Sequence, residues 1–284
     1  MLEPLDLLHL GCPHSIGCYV LETEDGPALF DCGPSTTIDA LKAGLAADGL
    51  SLTDVRHLLL SHIHLDHAGA AGALVREHPA LQVHVSGIGA PHLVDPSKLE
   101  RSARRLYGDS FDTLWGELTP VPQENVHVVG DAVVGLECFP TPGHASHHVS
   151  YLDADGTLYA GDAAGVRIQP GRYVMPPTPP PEFDLDVWQS TIDEIERREP
   201  ERLALIHFGV ADDPQRHLAD LQLELCDWAE FVLGGASEEE FVEYGRAELA
   251  NAGEDTDVHD VAMPLWQSYR GLARWAEKQR GQEP

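Results

Sequence analysis

The architecture of this chain follows from seven consecutive residues, Ser61-His62-Ile63-His64-Leu65-Asp66-His67. They directly follow the apolar run at 58–60, which predicts a buried strand. Side chains two residues apart in extended backbone project to the same side, so His62 and His64 should point together from the strand end. Asp66 and His67 come where the chain turns into the next helix. Histidine and aspartate suit zinc, iron and manganese, and four such ligands can supply two adjacent metal centres.

Three further ligand candidates each stand at the end of a predicted strand and beside a glycine. They are His144 in Thr141-Pro142-Gly143-His144, Asp162 in Ala160-Gly161-Asp162, and His207 in His207-Phe208-Gly209. Open α/β sheets place their sites at the carboxyl ends of strands, so we expect all seven ligands at one edge. The predicted cofactors are two divalent metal ions, zinc first, with iron or manganese as alternatives.

These motifs resemble the five motifs of the metallo-β-lactamase superfamily over about residues 5–210. Asp31 in Phe30-Asp31-Cys32-Gly33 is similar to the first motif, and the histidine-rich segment at 62–67 is similar to the second. His144, Asp162 and His207 resemble the third, fourth and fifth. The resemblance implies an α/β fold, a four-layer αββα sandwich with the site at one edge of two sheets.

The resemblance also implies a role for each ligand. One metal would be held by His62, His64 and His144, and the other by Asp66, His67 and His207. Asp162 would bridge the two, and Asp31 would orient a ligand imidazole from behind. A hydroxide between two ions about 3.5–4 Å apart would attack an electrophilic carbonyl or phosphorus. Asp66 is the implied catalytic residue, as a proton shuttle.

Hydrophobic periodicity and turn residues predict strands followed by a helical tail. The predicted strands are 5–10, 18–22, 28–30, 57–60, 82–85, 126–129, 136–139, 149–152, 158–160 and 203–206. The predicted helices are 38–47, 68–78, 99–106, 111–115, 185–197, 215–233, 238–250 and 258–279. Asp25-Gly26 predicts a hairpin turn, Asp184 an N-cap, and Ser237 with Glu240 a capping box. We therefore expect a catalytic domain at 1–213 and a helical C-terminal extension at 214–284, packed on or near it.

The excess of acidic residues restricts the kinds of molecule that the protein can bind. Acidic residues outnumber Lys plus Arg by 47 to 18, which gives a formal net charge of −29 and disfavours nucleic acid and anionic membranes. The chain lacks a long apolar run, and its start carries Glu3 and Asp6 before any basic residue, unlike a secretory signal. We expect a cytoplasmic protein with a small-molecule substrate. The amphipathic helices after Pro214 could cover the domain or form a homodimer. The five cysteines, without a C-x-x-C pair, are expected to be small buried residues.

Two functions remain open at this point. The first is a two-metal hydrolase of thioesters, carboxylic esters or lactones, similar to glyoxalase II and the lactonases of the superfamily. Acyl-homoserine lactonases carry a tyrosine three residues after the bridging aspartate, where this chain has Gly165. The second is an oxidoreductase similar to the persulfide dioxygenases, which bind a single iron.

Several features have no assigned role. His147 and His148 closely follow His144, and either could contact substrate or support a ligand. The proline-rich segment at 176–181 is a surface connection or a rigid wall of the active site. The candidates for a basic substrate pocket are Arg246, Arg270, Arg274 and Lys278. The aromatic candidates for substrate specificity are Tyr107, Phe111, Trp115 and Tyr173.

Overall fold

The computed structural model describes residues 2–281. Twelve strands within them form two six-stranded sheets. The first sheet consists, in spatial and chain order, of β1 (Leu5–Asp6), β2 (Gly17–Thr23), β3 (Gly26–Phe30), β4 (His57–Leu59), β5 (Gln82–Val85) and β6 (Val126–Val128). The second consists of β7 (Ala132–Val133), β8 (Leu136–Pro140), β9 (Val149–Leu152), β10 (Thr157–Tyr159), β11 (Arg202–Leu205) and β12 (Gly209–Ala211). Strands β3 to β6 are parallel, as are β10 and β11.

Helices cover the outer faces of both sheets. In the first half of the chain they are α1 (Ile38–Ala47), α2 (Leu65–Ala68), α3 (Ala71–Glu77), α4 (Ala90–Val94), α5 (Ser97–Tyr107) and α6 (Phe111–Leu114). In the second half they are α7 (Leu185–Glu196), α8 (Pro214–Leu233), α9 (Glu238–Ala252), α10 (Thr256–Ala262) and α11 (Leu265–Arg280).

The two sheets pack face to face through aromatic side chains. Tyr19 of β2 meets Tyr159 of β10 with ring centroids 5.8 Å apart, and Phe30 of β3 meets Tyr151 of β9 at 5.9 Å. The Tyr151 hydroxyl also donates to the carbonyl of Leu60 at 3.0 Å. The predicted four-layer αββα sandwich is confirmed.

Alternation along β11 shows how the layers form. Ala204 and Ile206 face the core between the sheets, whereas Leu203 and Leu205 face a second core with the helices of the C-terminal half. Helix α8 contributes its buried face to that second core, so the helical extension packs directly on the second sheet. The proposed domain division at 213 and 214 stays a prediction, and α8 begins at Pro214.

Local signals placed several elements well. The predicted β2–β3 hairpin forms, but its turn lies one residue earlier than expected, at Glu24 and Asp25, and Gly26 pairs with Thr23 as the first residue of β3. The Asp184 carboxylate accepts from the Val187 amide at the start of α7. The capping box that begins α9 is confirmed as well.

Three predicted elements differ from the structure. The strand at 5–10 ends at Asp6, whose carboxylate accepts from the amides of Leu8 and His14 and draws the chain into a turn. The helix at 68–78 is instead two helices, α2 and α3, because the Ala70 amide donates to the Gly33 carbonyl and leaves the helical ladder. The helix at 258–279 is likewise two helices, α10 and α11, because Pro264 has no amide hydrogen to continue α10. The short strands β7 and β12 were not predicted.

The cysteines and the helices also bear on the expectations from composition. All five cysteines are free, and three of them, Cys18, Cys32 and Cys138, are buried as expected. Across residues 2–281, each helix is too short or too polar to cross a bilayer.

Candidate metal centre

The seven predicted ligands meet where the two sheets expose the carboxyl ends of their strands. His62 and His64 follow β4, and Asp66 and His67 lie on the short helix α2. His144 follows β8, Asp162 follows β10 and His207 follows β11. The structure thus brings together residues separated by up to 145 positions (207 − 62) at one edge of the sandwich.

The first ligand group consists of His62, His64 and His144, whose nearest donor atoms all lie within 4.8 Å of one another. His144 Nε2 lies 2.9 Å from His64 Nδ1. Two nitrogens bound to one tetrahedral zinc at ordinary bond lengths are about 3.3 Å apart, so this spacing fits a shared ion.

The second group consists of Asp66, His67 and His207, and its donor atoms also lie within 4.8 Å of one another. The Asp66 Oδ2 atom is 3.5 Å from His207 Nε2 and 3.7 Å from His67 Nε2. The side chains of His67 and His207 are fully buried, whereas that of Asp66 is 14% exposed. Asp66 is therefore the member of this group that faces open space.

Asp162 lies between the two groups. Its Oδ2 atom is 3.3 Å from His144 Nε2, and its Oδ1 atom is 3.3 Å from His67 Nε2 and 3.7 Å from His207 Nε2. One carboxylate therefore presents one oxygen to each group. This geometry is the one that a bridging ligand requires.

Buried ligand atoms without hydrogen-bond partners test whether the cluster fits a metal. They are His62 Nε2, His67 Nε2, His207 Nε2 and both Asp162 carboxylate oxygens. Unsatisfied buried polar atoms are costly, and proteins ordinarily pair them. Their convergence on one point fits the binding of divalent cations.

Electrostatics favour the same conclusion. Burial raises the pKa of Asp162, but His67 and His144 outweigh it and hold this pKa well below its ordinary value. Burial lowers the pKa of His62 and His64, which keeps their imidazoles neutral and able to bind a metal. Burial alone would lower the pKa of His67, but the carboxylates of Asp162 and Asp66 raise it well above its ordinary value. The cluster therefore attracts positive charge.

Three of the rings that present Nε2 to the cluster are oriented through their other nitrogen. Asp31 Oδ2 lies 2.7 Å from His67 Nδ1, as the resemblance implied, and Asp31 itself accepts from the Ser61 amide and hydroxyl at 2.7 Å. His144 Nδ1 donates to the Pro177 carbonyl at 2.8 Å, and His207 Nδ1 donates to the Ser15 carbonyl at 2.6 Å. These contacts fix the tautomer that leaves Nε2 free for a metal.

His148 has a supporting role that the sequence left open. Its Nε2 atom accepts from the Asp162 amide at 3.1 Å, and its Nδ1 atom donates to Thr141 Oγ1 at 2.8 Å. Gly161 makes this approach possible, since it has a φ of +52° and a Cβ there would lie 2.6 Å from Ser61 Cβ. The backbone of Asp162 is thereby held in place.

A cavity of about 570 Å³ opens above the cluster. His64, Asp66 and Asp162 form its floor, and helices α5 and α11 form two of its walls. Pro179, Pro180 and Pro181 form another wall, so this part of the proline segment borders the cavity above the cluster. His147 also lines this cavity, with its Nε2 atom 3.9 Å from Glu182 Oε2.

The residues proposed for specificity separate into two sets. Tyr107 and Arg274 line the cavity above the cluster, and Trp115 and Arg270 line a neighbouring one. The other candidates line neither cavity. Phe111 is buried under the Arg104 guanidinium, and Tyr173 donates a hydrogen bond to Glu224. Arg246 forms an ion pair with Asp260, and Lys278 is exposed near the end of α11.

The fold and the ligand cluster together define a class of proteins, the αββα sandwiches with a histidine and aspartate centre at the sheet edge. The sequence profile of the metallo-beta-lactamase superfamily matches residues 13–209, more than half of the chain, and the chain belongs to this superfamily. Members of this superfamily are mostly metal-dependent hydrolases.

Comparison with individual proteins supports this membership. The metallo-beta-lactamase fold-containing protein ST1585 of Sulfurisphaera tokodaii is 30% identical over 207 residues, 70% of this chain and 74% of that protein. Its crystal structure covers 96% of this chain and 97% of its own, with a TM-score of 0.64 and 21% identity. The family protein TTHA1429 from Thermus thermophilus gives a TM-score of 0.68, at 21% identity, over 94% of this chain and 88% of its own.

An N-acyl homoserine lactonase from Bacillus sp. is 28% identical over 177 residues. The match covers 53% of this chain and 61% of the lactonase, so this chain spans less than two thirds of that enzyme.

Proposed function

We propose that the protein is a metal-dependent hydrolase that cleaves a thioester, carboxylic ester or lactone. The observation that carries this proposal is the position of Asp162, which offers one carboxylate oxygen to each of two ligand groups. Two divalent ions, zinc first and iron or manganese as alternatives, would lower the pKa of a water and polarise the substrate carbonyl. We therefore favour two-metal hydrolysis over chemistry at a single ion.

The residues of the chain supply the remaining requirements. His62, His64 and His144 would hold one ion, Asp66, His67 and His207 the other, and Asp162 would bridge them. Asp66 is the proposed proton carrier, because it is a carboxylate in the centre whose side chain faces both cavities. It would take a proton from the attacking water and deliver it to the leaving oxygen or sulfur.

The relatives support ester or lactone cleavage in particular. The lactonase from Bacillus sp. acts, by its name, on a cyclic ester, and cleavage of that ester requires water to attack a carbonyl. The net charge of −29 supports a small-molecule substrate in place of nucleic acid. A cytoplasmic location is part of the same proposal. A homodimer remains part of the proposal, and the native mass in solution tests it.

A substrate panel tests the reaction class. Thioesters, lactones, aryl esters and phosphodiesters are assayed with zinc, manganese and iron, and oxygen uptake is followed with glutathione persulfide. We expect hydrolysis of carbonyl substrates without oxygen uptake. A single bound iron with oxygen uptake on the persulfide would establish the dioxygenase alternative, which needs only one metal and leaves the second ligand group without a role.

A further inference from the structure

Two cavities meet at the candidate metal centre. The cavity above the cluster, here named chamber A, is about 570 Å³, and the neighbouring one, chamber B, is about 440 Å³. Asp66 lines both chambers. The Tyr107 hydroxyl of α5 donates to Gln267 Oε1 of α11 at 3.0 Å, and this hydrogen-bonded pair lines both chambers as well. A substrate carbonyl at Asp66 would therefore have one part of the molecule in each chamber.

Chamber A carries unpaired positive charge. Lys98 and Arg105 of α5 and Arg274 of α11 line it with exposed side chains, and none of the three has an ion-pair partner within residues 2–281. By contrast, Arg104 on the same α5 pairs with Glu100 and Asp112. In a chain with a net charge of −29, three cations without carboxylate partners around one cavity mark a place for an external anion.

The acidic side chains that line chamber A do not neutralise the positive charge of Lys98, Arg105 and Arg274. Asp66 and Asp162 belong to the metal centre, where histidines surround them. Glu182 lines the wall formed by the proline segment, and its carboxylate accepts from the amide and hydroxyl of Ser146. The cations on α5 and α11 are thus left to bind a ligand.

Chamber B has the opposite character. Its walls include Leu10, Leu114, Trp115 and Trp266. Besides Asp66 of the ligand cluster, its charged residues are Arg270 and Asp260, and both are already paired with partners outside the chamber, Arg270 with Glu238 at 3.1 Å and Asp260 with Arg246 at 2.6 Å. The chamber therefore fits an apolar group, whose burial is favourable roughly in proportion to its area.

We propose that the substrate is an amphiphilic ester or thioester, with an anionic group bound in chamber A and an apolar chain bound in chamber B. This inference rests on the hydrolase function proposed above. In the reaction, a water oxygen forms a new bond to the carbonyl carbon, the C–O or C–S bond breaks, and the proton of the water passes to the leaving oxygen or sulfur. The products are a carboxylic acid and an alcohol or a thiol.

Matched thioesters test the ligand class. The probes are S-octanoyl-3-mercaptopropionate, its uncharged analogue S-octanoyl-3-mercaptopropanol, its short-chain analogue S-acetyl-3-mercaptopropionate, and the mono-S-octyl thioester of succinate, which places the charge on the acyl side. We expect at least one of the two amphiphiles to be hydrolysed with a higher kcat/KM than both analogues. Hydrolysis of all four probes with equal efficiency, or of none of them while an ester or lactone of the substrate panel is cleaved, would overturn the proposal and leave the hydrolase function intact. Failure to cleave any carbonyl substrate of either set would contradict the hydrolase function itself.

Charge-matched variants test the chambers themselves. In Arg105→Gln/Arg274→Gln, we expect a KM for the preferred amphiphile raised about fivefold, since two exposed charge contacts are lost, and unchanged kcat/KM for the uncharged analogue. Arg101→Gln/Lys278→Gln removes the same charge from the same two helices outside the cavity lining and should leave both values unchanged. Leu10→Asn, at an exposed residue lining chamber B with a φ of 54° that asparagine tolerates, should reduce the preference for the octyl over the acetyl chain. Equal effects of the two double variants would overturn the assignment of the anion to chamber A.

Discussion

The carboxylate of Asp31 lies 2.7 Å from the Nδ1 atom of His67, and both side chains are fully buried. Asp31 follows β3 and is itself held by the amide and hydroxyl of Ser61, which follows the neighbouring strand β4. Because Nδ1 is committed to Asp31, His67 presents Nε2 to the second ligand group. The orientation of this ligand is therefore built into the first sheet before any metal binds.

Asp31→Asn tests this orientation. The amide is similar in size but cannot accept from both Ser61 and His67 with the strength of a carboxylate. We expect the affinity for one of the two metal ions to fall about 10-fold to 100-fold, the range for loss of a partner behind a metal ligand. Competition with a chromogenic chelator measures it, and Asp48→Asn on the exposed end of α1 is the control. Equal metal affinity in the two variants would show that Asp31 does not orient His67.

Substitution of His148 tests how far this side chain supports the backbone of Asp162. His148→Ala leaves the buried Asp162 amide without its acceptor, which should cost about 1–3 kcal/mol of unfolding free energy. Metal content at saturating zinc should stay unchanged, because no metal ligand is removed. Urea unfolding and metal analysis of the same preparation check both statements. Loss of one metal equivalent would mean that His148 is itself a ligand.

Close packing ties the helical extension to the active site at Gly271. A Cβ at this position of α11 would lie 1.9 Å from the Thr178 carbonyl oxygen, within the proline segment that lines chamber A. Gly271→Ala must therefore displace the segment, at a cost of about 1–3 kcal/mol typical of overpacking. We expect a lower melting temperature and a lower kcat/KM. Gly130→Ala, where a Cβ would meet no atom within 4 Å, should change neither.

A buried histidine pair outside the metal centre should make stability depend on pH. His57 Nδ1 and His84 Nε2 are 3.0 Å apart, and burial together with His57 and His127 lowers the pKa of His84 to about 4. The unfolded chain takes up this proton below about pH 6.5, whereas the folded chain does so only near pH 4. Stability should therefore be lost as pH falls through that interval, by about 3 kcal/mol.

His84→Gln removes this titration. Unfolding free energies of the metal-free protein, measured in chelator from pH 7 to pH 4, should decline less steeply in His84→Gln than in the unsubstituted protein. His14→Gln, at an exposed histidine, should decline as the unsubstituted protein does. Parallel declines in His84→Gln and the unsubstituted protein would contradict the prediction.

The sequence identified those parts of the site that depend on local spacing. The segment at 62–67 and the strand-end positions of His144, Asp162 and His207 are visible because ligand side chains leave a signature in the sequence. Backbone partners leave none, so the carbonyls of Ser15 and Pro177 were not predicted. They reach the ligands only through long-range folding.

Tertiary contacts also explain the remaining differences. The break between α2 and α3 depends on a hydrogen bond from Ala70 to Gly33, 37 positions earlier (70 − 33). Lys98, Arg105 and Arg274 line the same cavity only because α11 returns to α5. Only Arg274 of the three was a sequence-based candidate, because the other two lie outside the helical tail. Such convergence is a property of the folded chain.

Metal stoichiometry tests the central claim most directly. The unsubstituted protein and Asp48→Ala should each bind two divalent ions per chain and hydrolyse the same carbonyl substrate. Asp162→Ala should lose bound metal together with activity, because it removes the carboxylate that faces both ligand groups. Full retention of both metals in Asp162→Ala, or a single metal in the unsubstituted protein, would contradict a bridged two-metal centre.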